Sequence, residues 1–193
     1  MIPTRSKPGA SDAPTILIVP GLRDHVAEHW QTLLEAKLPN AVTVPPLDRD
    51  KLSCAARVAA LDAAIGRING PIILVAHSAG VMTTVHWARH GARQIHGALL
   101  ATPPDLEAPM PSGHTARDDL ERNGWLPVPR GALPFPSIVA ASRNDPLARF
   151  DRVSEMAADW GGRLVDLGPV GHLNPAAGFG DWPQALELIR ELK

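Results

Sequence analysis

Cysteine is almost absent from this chain, with Cys54 the single example in 193 residues. That excludes an internal disulfide framework, a cysteine-based zinc site and a Cys-x-x-Cys redox centre, and it suits a reducing cytoplasm. An excess of one charge is lacking too. Nineteen basic residues stand against twenty acidic ones, a formal net charge of -1 with an isoelectric point near 6.7. No basic field exists to hold a polyphosphate backbone, so nucleic-acid partners are not expected. No apolar run approaches the roughly 18 residues needed to cross a bilayer. The opening residues carry Pro3, Pro8 and Pro14 beside Arg5 and Lys7, without the apolar stretch of a signal peptide. A cytoplasmic location without membrane attachment is the expectation. Neither a G-x-G-x-x-G fingerprint nor a Walker A loop occurs, which leaves nucleotide binding without its phosphate cradle.

Proline and glycine, by contrast, are plentiful at twenty and sixteen residues. Their sum exceeds the average of about 12 per cent of residues but stays below the roughly 25–30 per cent at which composition signals disorder. Hydrophobic residues make up 45% of the chain, and a domain of this length buries about 70 per cent of its unfolded surface. The organisation expected is a flexible tail over residues 1–14 and a single domain over 15–193.

Within that domain, short β-rich runs alternate with helical patterns. Strands are expected at 15–19, 41–44, 71–76, 97–101, 137–141 and 163–167, and the unbroken apolar character of 15–19 indicates burial on both faces. Helices are expected over 26–38, 53–68 (with Ser53 as N-cap), 81–90, 146–160 and 182–192. No internal repeat is visible. Alternation of this kind implies a parallel, doubly wound α/β sheet with right-handed crossovers. The rhythm breaks between residues 103 and 136, where eight of the prolines fall around a hint of helix at 115–122.

Ligands of such sheets bind beyond the carboxyl ends of the strands, and three reactive side chains follow strands there. Ser78 lies in Ala76-His77-Ser78-Ala79-Gly80, a G-x-S-x-G elbow with alanine replacing the first glycine. Small flanking residues let strand and helix approach closely, while the turn lifts the hydroxyl above the sheet. Asp145 follows the strand at 137–141, and His172 follows the strand at 163–167. A serine hydroxyl needs a base, and the base needs an orienting acid. Individually, Ser78 could be a helix cap, Asp145 an Asx turn and His172 a packed loop residue. Jointly, those readings require three coincidences of position and order. Two backbone amides are candidates for an oxyanion hole: Ala79 at the helix start and Leu22 in the Pro20-Gly21-Leu22-Arg23 loop, with Arg23 next in line. The substrate pocket is expected to draw on Arg23, His77, Trp125, Leu126 and Val128.

A resemblance now carries more than the elbow alone. Val19-Pro20-Gly21-Leu22, Glu28-His29-Trp30-Gln31, the elbow, Ala101-Thr102-Pro103-Pro104-Asp105-Leu106, Pro134-Phe135-Pro136-Ser137, Ser142-Arg143-Asn144-Asp145-Pro146, Gly171-His172-Leu173-Asn174 and the stretch from Gly178 to Pro183 resemble the retinoblastoma-binding-protein/YdeN-like small serine hydrolases of the α/β-hydrolase superfamily. The resemblance covers the chain from Thr15 onward. It implies a compact single-domain α/β-hydrolase fold without a large cap, in a family of serine hydrolases acting on small esters or amides. The six expected strands supply its sheet, and the Ser78, His172 and Asp145 reading calls for an acyl-enzyme and no cofactor. The resemblance leaves the substrate and the oligomeric state open.

Three other readings compete with this one. His25-Val26-Ala27-Glu28-His29 fits the H-x-x-E-H zinc pattern, but the segment follows a Pro-Gly turn and no third ligand is evident, so no metal is expected. A catalytically silent binding protein on the same fold is the alternative function. Cys54, in an Ala-rich helix, reads as a buried small hydrophobe rather than a nucleophile.

Overall fold

A computed structural model describes residues 13–192. Apart from its last two residues, the tail expected over 1–14 lies outside them. Six parallel strands form one sheet in the order β2-β1-β3-β4-β5-β6. They are β1 (Thr15–Val19), β2 (Ala41–Thr43), β3 (Ile72–His77), β4 (Gly97–Ala101), β5 (Ser137–Ala141) and β6 (Arg163–Asp166). The helices are α1 (Trp30–Lys37), α2 (Cys54–Gly66), α3 (Ala79–Ala88), α4 (Arg117–Arg122), α5 (Phe150–Asp159) and α6 (Gln184–Arg190), with a 3-10 turn at Pro175–Ala177. No described helix is long and apolar enough to cross a membrane.

Alternation along the central strands splits the core into two layers. Leu17, Val19, Leu74, Ala76, Ala98 and Leu100 face α2, α3 and α5, while Ile16, Ile18, Ile73, Val75 and Leu99 face α1 and α6. Successive strand residues point to opposite faces, so a strand covered on both sides is apolar along its length, as β3 is up to its last residue, His77. Every residue of β3 is buried.

The chain runs from β1 outward to β2, then crosses to β3 on the other side of β1. The crevice of a doubly wound sheet opens at this reversal of direction. Ser78 stands directly above it, at the end of β3, whose Ala76 pairs with Val19 of β1 and whose His77 pairs with Ala101 of β4.

Several helix starts differ from expectation. α1 begins at Trp30 rather than Val26, because Val26 to His29 close a turn, His29 N donating to Val26 O at 3.0 Å, and His29 serves as the cap, its Nδ1 accepting from Gln31 N at 3.2 Å. His25 and His29 therefore precede the helix, and the shared helical face required by the zinc pattern does not form. α3 starts two residues earlier than expected, immediately after Ser78, and α5 starts later, at Phe150. Ser53 caps α2 as expected, accepting from Ala56 N at 3.2 Å.

Residues 103–136 build no cap domain. Trp125 and Val128 are buried in the α2/α3/α5 layer, and the Trp125 indole donates to Leu52 O at 2.6 Å. The Trp160 indole donates to Pro129 O at 3.0 Å and holds the segment from its far end.

Candidate active site

Ser78 occupies a backbone conformation of φ 56°, ψ -125°, a sparsely populated region that costs a non-glycine residue about 1–3 kcal/mol. Packing imposes it. α3 must start at once for its N-terminus to lie against β1, and a Cβ on Gly80 would stand 2.1 Å from Val19 O. Only glycine permits that approach. Gln31 ties the same strands together from the other layer, donating through Nε2 to Val19 O at 3.2 Å and Val75 O at 2.9 Å.

The three strand-end residues converge. His172 Nε2 lies 2.8 Å from Ser78 Oγ, and His172 Nδ1 lies 2.8 Å from Asp145 Oδ2. The side chains of His172 and Asp145 are only 9% and 2% exposed, so water competes little for these bonds. Asp145 Oδ1 accepts from Leu147 N at 2.9 Å. Asp145 is thus an Asx turn and a histidine partner at once, one oxygen for each.

Two further side chains fasten the loops together. His77 Nε2 is 2.9 Å from His172 O, linking the residue before the serine to the backbone of the histidine. Asn144 Oδ1 accepts from Gly171 N at 2.7 Å and binds the loop of Asp145 to the loop of His172. His77 is sandwiched between His29 and His172, with ring centroids 4.6 and 4.9 Å apart. Desolvation, with added repulsion from His172, lowers the His29 pKa to about 4 and pushes that of His77 well below its ordinary value.

Both rings are therefore neutral in the native state, whereas unfolded histidine takes up a proton near pH 6.5. The unfolded state binds more protons below that pH, so stability falls as the pH drops toward about 4. Above pH 6.5 these two groups leave stability constant. Thermal midpoints should decline across this window. His29→Asn, which keeps a capping side chain without a titrating ring, should make the decline shallower; an unchanged slope would show that His29 does not drive it.

A cleft of about 340 Å3 opens beside Ser78, within the size range of small-molecule sites. Its apolar wall includes Leu22, Leu106, Met110, Leu120 and Trp125, and its polar lining includes Arg23, His29, His77 and His172. Of the expected pocket residues, Arg23, His77 and Trp125 line the cleft. Leu126 and Val128 do not, because the indole and backbone anchors turn that strand of chain into the core; Leu106, Met110 and Leu120 take their place.

Gly21 packs on the serine, its Cβ position being 3.4 Å from Ser78 Cβ. Gly21 O accepts from Asp24 N at 3.1 Å, leaving Leu22 and Arg23 as the central residues of the turn. Neither Leu22 N nor Arg23 N has an acceptor among the described residues, and neither does Ala79 N. Cys54 is buried, and desolvation raises its thiol pKa to about 11, consistent with a packing role. Among the described residues, no group of three or more His, Cys, Asp or Glu side chains is placed to hold a metal.

The family model for serine hydrolases matches residues 16–191. The chain belongs to the serine hydrolase family. Among solved structures, this serine hydrolase is similar to a protein from Pectobacterium atrosepticum described as a YdeN-like hydrolase, with 30% identity, a TM-score of 0.79 and coverage of 94% of this chain and 91% of that one. The ydeN gene product of B. subtilis shares 17% identity at a TM-score of 0.73, covering 93% and 98%. The RedJ thioesterase of Streptomyces coelicolor shares the fold at 16% identity and a TM-score of 0.61, covering 99% and 95%. A comparison with curated proteins finds no match. The protein is thus a YdeN-like hydrolase of the α/β-hydrolase superfamily.

Proposed function

We propose that this hydrolase cleaves small esters or amides through a Ser78–His172–Asp145 triad and an acyl-enzyme. The observation that carries this reading is the unbroken 2.8 Å and 2.8 Å chain from Ser78 Oγ through the imidazole to Asp145, at the edge of the cleft. His172 Nε2 removes the hydroxyl proton as Ser78 Oγ attacks the carbonyl carbon. Asp145 holds the Nδ1–H tautomer and stabilises the imidazolium without taking the proton. Amides of Leu22 and Ala79 receive the oxyanion. His172 then protonates the leaving alcohol or amine and later activates the water that releases the acid.

The cleft's volume and its wall of Leu106, Met110 and Leu120 favour short acyl groups. The test is an active-site fluorophosphonate, with mass spectrometry to locate the adduct. Labelling should occur at Ser78 and disappear in Ser78→Ala, and butyrate p-nitrophenyl ester should be hydrolysed faster than palmitate. Labelling elsewhere would overturn the nucleophile. A folded protein with neither labelling nor esterase activity would favour the silent binding protein.

A further inference from the structure

A buried cation sits behind the turn that presents the proposed oxyanion donor. Arg57, on α2, is 6% exposed, a burial rarely tolerated by arginine unless its donors are satisfied. They are satisfied by one short segment and its neighbour. Nη1 donates to Gly21 O at 3.3 Å, Nη2 to Leu22 O at 3.2 Å and to Asp24 Oδ1 at 3.3 Å, and Nε to Lys51 O at 2.7 Å. Desolvation lowers its pKa, while Asp24 opposes that shift. A guanidinium stays charged at any pH compatible with folding.

Peptide geometry turns this clamp into an aiming device. In a trans planar peptide the C=O and the following N–H point in opposite directions. Drawing Gly21 O toward α2 therefore directs Leu22 N–H away from α2, and drawing Leu22 O the same way does so for Arg23 N–H. These are the two amides of the turn without acceptors, on a loop packed against Ser78 and lining the cleft. Withdrawing electron density through each carbonyl also makes its partner N–H a stronger donor. Fork geometry matters here, because a lysine ammonium cannot reach two successive carbonyls, a carboxylate and a third carbonyl from one stem.

We infer that Arg57 is a positioning residue that orients and polarises the Leu22 or Arg23 amide toward the transition-state oxyanion. The inference rests on the Ser78 nucleophile reading. It assigns Arg57 no contact with substrate; the residue acts entirely through the Gly21–Asp24 turn.

Arg57→Lys and Arg57→Ala test it, with kcat and KM on a p-nitrophenyl ester and the affinity of a boronic acid that forms a tetrahedral adduct. Removal of one oxyanion donor costs about 10²–10³ in kcat in comparable sites, so a misaimed donor should lower kcat about 10–100-fold with KM within about threefold. Boronic acid binding should weaken by a similar factor, while the product acid binds unchanged. Guanidinium ion should restore part of kcat to Arg57→Ala. Thermal midpoints and near-UV circular dichroism of both arginine variants establish that they are folded before the kinetics are compared, and guanidinium rescue of Arg57→Ala separates lost positioning from lost folding. Folded variants with wild-type kcat and boronic acid affinity would overturn the role, as would equal losses for boronic and product acids. Fluorophosphonate labelling of the wild type separates the two readings. A labelled wild type beside unaffected Arg57 variants refutes the clamp alone, whereas an unlabelled wild type refutes the nucleophile and the clamp with it.

Discussion

Ser78→Ala is expected to lower kcat/KM by about 10⁵–10⁶ while leaving the thermal midpoint close to that of the wild type. The hydroxyl makes one intramolecular bond, to His172 Nε2, and the methyl that replaces it keeps the same strained backbone. Ser78→Gly should be equally inactive yet more stable than Ser78→Ala. Glycine reaches φ 56°, ψ -125° without the penalty of about 1–3 kcal/mol, and loses about 0.5–1 kcal/mol of that gain to the freer unfolded chain. A margin of about 1 kcal/mol, measured by denaturant midpoints, would show that the strain at the elbow is tolerated for the sake of the hydroxyl's position. A glycine variant less stable than the alanine variant would show that the elbow is unstrained.

The strands and their order along the chain are legible from sequence because a strand covered on both faces has no polar positions to blur its limits. The apolar run 72–76 of β3, ended by His77, is the clearest instance. The proposed triad is legible for a related reason: Ser78 directly follows β3, and Asp145 and His172 lie in the loops after β5 and β6, so topology brings the three to one edge. Helix starts are less legible. Apolar spacing from Val26 onward mimics a helical face, but a Val26–His29 turn delays the helix until a histidine, an uncommon cap, supplies the acceptor. Arg57 left no signal at all. In an Ala-rich helix it reads as the solvated position, and only the folded loop shows that its fork is enclosed by three carbonyls and a carboxylate. His77, Gln31 and Asn144 fall within the motifs of the sequence, but their role as fasteners does not show there, because their partners are backbone atoms far along the chain. Leu126 and Val128 show the opposite error. A proline-rich insertion in the place of a cap suggests a pocket wall, yet the Trp125 and Trp160 indoles tie it down to the core.

Gly80→Ala is expected to be the most damaging single-methyl substitution in the elbow. The added Cβ would lie 2.1 Å from Val19 O and 2.8 Å from Pro20 O, so the clash is with backbone on the strand that also carries the proposed oxyanion loop. Side-chain repacking cannot relieve it; either α3 or the end of β1 must move. Overpacking typically costs about 1–3 kcal/mol when side chains can yield, and here the cost should reach at least about 3 kcal/mol, lowering the thermal midpoint by roughly 6–12 °C for a domain of this size. Val19 O is also an acceptor for Gln31 Nε2, so displacing it loosens the tie between β1 and β3 beneath Ser78. Any folded fraction should therefore hydrolyse esters far more slowly than wild type. Ala76, the departure from glycine at the other end of the motif, shows why the two small positions are unequal. Its methyl lies in the α2/α3/α5 layer as part of the core, where a strand Cβ is accommodated, whereas at residue 80 the space belongs to another strand's carbonyl. A Gly80→Ala protein with native stability and turnover would mean that α3 can withdraw from β1 without moving the serine, and that the contact does not set the elbow.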